Sequence, residues 1–255
     1  MLCAEGCFTV EFPVKPRPGQ GARTAAEGDN LLVMDRKLPN LARGDFARRL
    51  AQGFPVELPG RALDALYSHY QELRRWAPSL SLVGPGTTEE VVERHYGEAL
   101  EGLASIPSGA RTLVDVGSGA GFPGIVLAAA RPDLEVTLVE PREKRWAFLC
   151  SACRRAALPC RCLNARVDSL LPPGLPERID VITTRALKLP IEVLDALAGR
   201  LTAEGKVLIW AGEADPPIPP TLELKTARPL AGARNRRIVE LGRPAAAEAA
   251  ERAHR

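Results

Sequence analysis

Two rhythms of apolar and polar positions follow one another along this chain, and a stretch without rhythm precedes both. In "RALDALYSHYQELRRW", Leu63, Leu66, Tyr67, Tyr70, Leu73 and Trp76 recur at i, i+3 and i+4, the spacing of one apolar helix face. "GDFARRLAQGF" before it and "TTEEVVERHYGEALEGL" after it are also helical in pattern. In the latter, Thr88 stands as a candidate N-cap ahead of acidic residues in the first turn. From Arg111 the period shortens. "RTLVDV", "EVTLVE", "CRCLN", "IDVITT" and "GKVLIW" are short β-rich runs, separated by helical stretches at 122–130, 142–157 and 190–200. Such alternation predicts parallel βαβ units with helices on both faces of a sheet, and "TLELKTA" with "RRIVEL" predicts a terminal antiparallel hairpin. Ahead of all this, "KPRPGQGARTAAEGDN" mixes Pro, Gly and small polar residues without period, a composition that does not build a core. The expected organisation is a disordered tail over 1–39, a helical cap over 40–108, an α/β domain over 109–243 and a second tail over 244–255.

Length and composition narrow the class. A chain of 255 residues holds one α/β domain with a small appendage, and 45% hydrophobic with 25% charged residues is an ordinary soluble balance. No run approaches the roughly 18 apolar residues of a membrane span. "MLCAEGCFTV" lacks the basic start and long apolar stretch of a secretory signal. The expectation is a cytoplasmic protein whose six cysteines face a reducing environment. Cys150-x-x-Cys153 and Cys160-x-Cys162 invite a zinc reading. The first pair falls on a predicted helix and the second on a strand, so thiols packed as small hydrophobes are the simpler reading, and no metal is expected.

A net charge of +3 says little, but its distribution says more. Between Pro141 and Arg166, Glu143 alone opposes Arg142, Lys144, Arg145, Arg154, Arg155, Arg161 and Arg166, and Arg234, Arg236 and Arg237 form a second cluster. Clustered cations are the footprint of a phosphate-backbone binder. They are equally a solvated arginine-rich helix face, and charge alone leaves both open.

The most specific stretch is "LVDVGSGAGFPGIVL", residues 113–127. An apolar strand stops at a carboxylate, glycines follow, and a helix begins after Pro123. Amides at such a helix start can face a ligand, and glycines let backbone approach it closely. Gly119, Gly121 and Gly124 satisfy the dinucleotide pattern G-x-G-x-x-G. Two acids favour S-adenosylmethionine instead. Asp115, just before the turn, would repel a pyrophosphate but can bind the cationic amino group of methionine, directly or through water. Glu140, at the end of the next strand, is placed to accept the ribose hydroxyls.

Over residues 113–149, "LVDVGSGAGFPGIVLAAARPDLEVTLVEPREKRWAFL" closely resembles the bacterial RsmG (GidB) methyltransferases, which methylate N7 of a guanosine in small-subunit ribosomal RNA. The Pro-Gly after the turn and the element Lys144, Arg145, Phe148, Leu149 are narrower signals than the glycines. "ERHYGEAL", "RVDSL", "TTRAL" and "ARNRRIVEL" resemble further blocks of the family in the same order. The resemblance runs from about Leu41 to Leu241, which makes Met34 a candidate start. It implies a class I S-adenosylmethionine-dependent methyltransferase: Rossmann-like, with a mostly parallel sheet, a terminal antiparallel hairpin and an N-terminal helical cap. It places cofactor contacts at Gly117, Phe122, Val167, Asp168 and Arg185, with Glu140 at the ribose position and Asp168 toward the adenine amino group; Asp115 and Gly119, read from the turn itself, complete the expected cofactor-binding set. Arg185, just after the fourth strand, is the candidate catalytic residue. RNA contacts are expected from Arg142, Lys144, Arg145, Arg154 and Arg155. The implied partner is 16S ribosomal RNA or the small ribosomal subunit, and the chain is expected to be a monomer.

The chain also departs from the family. The usual Trp-Asn…Asn-Leu-Thr reads "WAPSLSLV", the usual His-Ile-x-Asp-Ser reads "HYGEA", and Ala211 stands where a lysine is usual. A methyltransferase of the same fold acting on a small molecule or a protein, or a non-catalytic RNA-binding paralogue, therefore stays open. Of three histidines, His254 lies in the tail, His69 reads as structural, and His95 matches a family histidine beside the cleft. Guanine N7 has a lone pair and no proton, so its methylation needs alignment rather than a general base. The Asn/Asp-Pro-Pro-aromatic turn of amino-group methylation is replaced by "TTRALKLP". The nucleophilic cysteine of cytosine C5 methylation is missing from that region.

Overall fold

Strand β1 (Thr112–Val116) is buried along almost its whole length, as a near-continuous apolar run in the middle of a parallel sheet should be. Around it lie β2 (Glu135–Val139), β3 (Arg161–Leu163), β4 (Ile179–Arg185), β5 (Leu201–Ala211), β6 (Glu223–Pro229) and β7 (Arg237–Gly242). They form a seven-stranded sheet in the order β3-β2-β1-β4-β5-β7-β6. The first five strands are parallel. β7 runs antiparallel between β5 and β6, which is the expected closing hairpin. The computed structural model describes residues 37–54, 57–84, 87–233 and 235–244. The expected tail over 1–39 therefore lies almost entirely outside the described residues, as do Met34, Arg234, His254 and nearly all of the tail over 244–255.

Alternation along the strands sorts side chains to two faces. Leu113, Val181, Leu208 and Ile238 join one core cluster with α1 (Arg43–Gly53), α2 (Gly60–Trp76), α4 (Gly124–Ala130) and α5 (Glu143–Arg155). Val114, Val116, Ile182, Val207 and Ile209 join the other, with α6 (Ile191–Ala198). The helical segment thus shares its core with the sheet, and the described residues belong to one compact unit. The face predicted on α2 is the one that packs, with Leu66, Tyr70 and Leu73 fully buried. Among the described residues no helix is long and apolar enough to cross a membrane.

The stretch "TTEEVVERHYGEALEGL" departs from the single helix expected of it. It is a π-helical segment (Val92–Gly97), one α turn, α3 (Glu98–Leu100), and a 3₁₀ turn (Glu101–Ser105). Thr88 caps nothing, because the residue before the segment is Val91 and has no side-chain cap. The neighbouring threonine makes the contacts instead: the Thr87 hydroxyl donates to Gly84 O at 2.8 Å and lies 3.1 Å from His95 Nε2. The irregular winding coincides with a contact from elsewhere in the fold. A guanidinium from another element, Arg185, donates to the carbonyls of Arg94 and His95 within it.

Candidate functional site

Register brings the predicted residues to one place. Val116 is paired with Val139 on one side and with Thr184 on the other, so Gly117, Glu140 and Arg185 are the next residues at the carboxyl ends of three adjacent strands. The chain leaves β1 toward β2 on one side, while β4 lies on the other. This is the switch point at which open α/β sheets bind ligands. A cavity of about 530 Å³ opens there, lined among others by Gly117, Gly119, Phe122, Glu140, Arg142, Arg145, Arg166 and Arg185.

The turn itself is held by backbone. Gly117, Gly119 and Gly121 all have positive φ, the conformation for which glycine carries no steric penalty. Gly117 N and Ser118 N donate to Val139 O at 2.9 and 3.1 Å, and Gly121 N donates to Ser118 O at 2.7 Å. Gly124 serves a different need: a Cβ there would lie 2.4 Å from Leu138 and 2.7 Å from the Asp115 carboxylate. Only a bare Cα lets α4 sit this low on the sheet.

The two acids singled out in the sequence divide the work. Glu140 lines the cleft, and its two oxygens accept from Gly119 N and Arg142 N, each at 3.0 Å. A carboxylate has about four acceptor positions, so roughly half remain for a ligand. Asp115 is not among the residues that line the cleft. It shares its face of β1 with Leu113, the face that α4 covers, and it is buried. Its oxygens accept from Thr183 Oγ1 at 2.7 Å and Gly124 N at 3.3 Å. Burial raises its pKa to about 6 despite those hydrogen bonds.

Aromatic rings build the wall toward the helical segment. Phe122, at a cis bond to Pro123, stacks on His95 with centroids 5.1 Å apart and meets Tyr96 edge-on at 4.9 Å. His69 fastens α2 under the turn. Its Nε2 lies 2.9 Å from Ala120 O and must donate, so Nδ1 accepts from the Tyr96 hydroxyl at 2.7 Å. Burial lowers the pKa of His69 to about 4. At His95, burial and then the neighbouring Arg185 lower it to about 3. Both rings are neutral near pH 7.

Arg185 is the floor of that wall. Its Nη2 lies 2.7 Å from Glu98 and 3.0 Å from Arg94 O, and its Nη1 lies 3.4 Å from His95 O. Burial lowers its pKa, against the attraction of Glu98. Glu98 is itself buried and is shared with Arg236, whose Nη2 lies 2.6 Å away, while Trp210 Nε1 donates to its backbone carbonyl at 2.8 Å. Sequence reasoning did not single out Glu98 or its two arginines as a unit. The available signal was the acid in "HYGEA" at the family's Asp position.

Of the remaining expected residues, Val167 packs against the α6-side core. Asp168 is exposed, its carboxylate accepting Leu170 N at 2.9 Å. Neither lines the cleft, although Arg166 before them does. The basic run is likewise split. Arg142 and Arg145 line the cleft, with Arg145 donating to Ser81 O at 2.8 Å, and Lys144 is exposed. Arg154 and Arg155 close the far end of α5, on the order of 15 Å along the axis from Arg145, and Arg155 pairs with the buried Glu72 at 3.0 Å. Arg237 of the second cluster pairs with Asp215. Among the described residues no group of three or more His, Cys, Asp or Glu is arranged to hold a metal ion.

Comparison with known proteins places this arrangement. The model of the family described as GidB, rRNA small subunit methyltransferase G, matches residues 62–217. A protein named Ribosomal RNA small subunit methyltransferase G from Desulfotalea psychrophila is 39% identical over 148 residues, covering 56% of this chain and 68% of the relative. One of the same name from Methylobacterium radiotolerans is 43% identical over 145 residues, covering 56% and 66%. The chain thus spans about two thirds of the length of these relatives. Among solved structures, a crystal structure of a mutant of MtNAS is similar in fold, with a TM-score of 0.50 at 16% identity over 71% of this chain and 70% of that one.

Proposed function

We propose, from the premise that the chain belongs to the GidB family, rRNA small subunit methyltransferase G, that its cleft transfers a methyl group from S-adenosylmethionine to N7 of a guanosine in 16S ribosomal RNA. The observation that carries this reading is the convergence of Gly117, Glu140 and Arg185 at adjacent strand ends around one cavity. The reading describes a class I methyltransferase, monomeric and cytoplasmic, acting on the RNA or on the small subunit that contains it.

The residues present fit the cofactor. A Cβ on Gly119 would meet only Gly117 O at 3.8 Å and Arg145 Nη1 at 3.9 Å, so the turn leaves room beside Glu140. That carboxylate, fixed by two amides, suits a pair of vicinal hydroxyls. When bound, the cofactor supplies an electrophilic methyl group on a positively charged sulfur. Gly117, Gly119 and Phe122 border its place, with Val167 and Asp168 following Arg166 at the cleft. Asp115 acts from beneath, holding Gly124 N and Thr183 and so the shape of the turn.

On the substrate side, Arg185 orients. Its guanidinium has five N–H donors; three face Glu98 and the Arg94 and His95 carbonyls, which leaves others for guanine or its phosphate. The stacked pair of Phe122 and His95 adds an aromatic wall beside it. No residue is asked to take a proton. His69 and His95 are both held well below the usual imidazole range, and an arginine is a poor base. Arg142, Lys144 and Arg145 then meet the RNA backbone, with Arg154 and Arg155 extending the track along α5.

The test is transfer of labelled methyl from the cofactor to ribosomal RNA or small subunits, followed by digestion to nucleosides. Label in 7-methylguanosine is expected. Label in another nucleoside would overturn the acceptor, and transfer to a small molecule or protein alone would overturn the substrate class.

A further inference from the structure

Among the described residues, Ala157 and Ala186 have positive φ without being glycine, at +52° and +55°. An L side chain is strained in that region, so each calls for a reason. Ala157 ends α5. Leu158 N donates to Cys153 O at 2.9 Å and Ala157 N to Arg154 O at 3.2 Å, the pair of bonds that closes a helix through a left-handed residue. Ala186 closes no helix. It follows Arg185, the last residue of β4, and it lines the cleft. Strained residues of this kind cluster at functional sites, where the placement of a neighbour matters. The neighbour here is Leu187.

Leu187 is turned onto the glycine turn. A Cβ on Gly117 would stand 2.7 Å from Leu187 Cδ2 and 3.6 Å from its Cβ and Cγ, so the side chain lies directly over the bare Cα of Gly117. Leu189, two residues on, is buried in the α6-side core and ties the loop down there. Leu187 itself is 42% exposed and lines the cleft, as do Leu82, Val83 and Phe122. Phe122 is buried, and Leu82 and Val83 are half-buried against the core shared with the helical segment. Of these four apolar side chains, Leu187 alone is left exposed.

We propose that Leu187 is the side chain on which the acceptor base packs, a purine ring taken out of its stack in the RNA. The proposal rests on the methyl-transfer reading above and adds to it a contact that Arg185 does not supply. Leu187 is two residues from Arg185 and rests on Gly117, which borders the cofactor's place in that reading. It therefore stands where acceptor and cofactor meet. A small polar ligand gains nothing from a leucine at this point. A base has an apolar face as well as polar edges, and enzymes that act on an extruded base hold it by both. The face goes to Leu187, with Phe122 and His95 as the ring-lined wall of the same cavity, and the edge goes to Arg185. Covering Leu187 with the base also removes water from beside the methyl group. The strain at Ala186 then has its reason, because a negative φ there would send the chain in another direction and take Leu187 off Gly117.

The experiment uses the full chain with the photocrosslinker p-benzoylphenylalanine in place of Leu187, irradiated with S-adenosylhomocysteine and unmodified 16S ribosomal RNA or small subunits. The crosslink is mapped by primer extension and compared with the nucleotide that the parent protein methylates. The expected crosslink is at that nucleotide or its immediate neighbour. Kinetics give a second readout that does not need the crosslinker. Leu187→Ala should lower the single-turnover rate at saturating cofactor on the order of tenfold, with cofactor affinity by calorimetry within about twofold and the melting temperature unchanged. Leu187→Met, close in volume and equally apolar, should restore most of the rate. If Leu187 only held Gly117 in place, the pattern would reverse: Leu187→Ala would weaken cofactor binding and lower the melting temperature, yet keep its rate at saturating cofactor. That pattern would overturn the proposal. A crosslink far from the methylated nucleotide would overturn the placement of Leu187 alone. A parent protein that methylates no RNA would overturn the reading on which the proposal rests, and the proposal with it.

Discussion

Compare the two sides of the cleft. On the glycine-turn side most contacts are short in sequence and use backbone: Glu140 meets Arg142 N two residues away and Gly119 N 21 away, and Asp115 meets Gly124 N nine away, while its bond from Thr183 spans 68 positions. On the facing side every contact is made by a side chain and is long in sequence. Arg185 meets Glu98 across 87 positions, and Arg236 meets it across 138. The first side is built mostly on the strand–turn–helix and the end of the next strand. The second exists only once the helical segment has packed on the sheet. On the proposed reading, the difference means that binding the cofactor and aligning the acceptor would rest on separable parts of the molecule.

The largest effect should come from the long-range side. Arg185→Ala is expected to lower the single-turnover rate on the order of 100-fold through lost alignment, with cofactor affinity nearly unchanged. Opening the buried pair with Glu98 should also cost about 3 kcal/mol of stability, readable by denaturant unfolding. Arg185→Lys should restore most of the stability and only part of the rate, because a point charge does not reproduce a planar fork. Equal loss of cofactor affinity would merge the two sides that the comparison separates.

On the local side the two acids should part company. Glu140→Ala is expected to weaken cofactor binding by about 1.5–3 kcal/mol, roughly one to two decades, as calorimetry would show. Asp115→Asn should act mainly on stability, and with a definite sign in pH. The folded-state pKa of Asp115, raised to about 6, lies above the unfolded value of about 3.9. The folded protein therefore binds the proton more tightly. The group favours folding below about pH 4, and that advantage is lost as pH rises through about 6. The stability of Asp115→Asn relative to the parent should improve between about pH 4 and pH 7, by up to about 3 kcal/mol. A difference independent of pH would mean that Asp115 is not held protonated by burial.

The smallest effect separates the two ends of α5. Charge reversal at Arg142 and Arg145, which line the cleft, should weaken RNA binding and reduce the salt slope by about one for each phosphate no longer neutralised. Reversal at Arg154, at the far end of the helix, should change both less. The opposite order would move the RNA track away from the cleft.

What could be read from the sequence follows the same division. The parallel strands, the hairpin, the glycine turn and Glu140 all announce themselves through period or spacing within some 25 residues. The π-helical winding of Val92–Gly97 does not, and the guanidinium that meets its carbonyls arrives from β4. Nor does the sharing of Glu98 between two arginines. Asp115 was legible as a residue but not in its direction. Its place on β1 puts it on the face covered by α4, and that follows only when the sheet is seen assembled.

The central claim is that the cleft works by alignment, without a base. The measurement that tests it is the single-turnover rate of methyl transfer as a function of pH, at saturating cofactor and RNA. With His95 held near 3 and His69 near 4, and with an acceptor that has no proton to lose, the rate should vary less than about twofold between about pH 6.5 and pH 9. A rate that climbs about tenfold per pH unit through a single ionisation would contradict it, and would point to an essential base and a protonated acceptor.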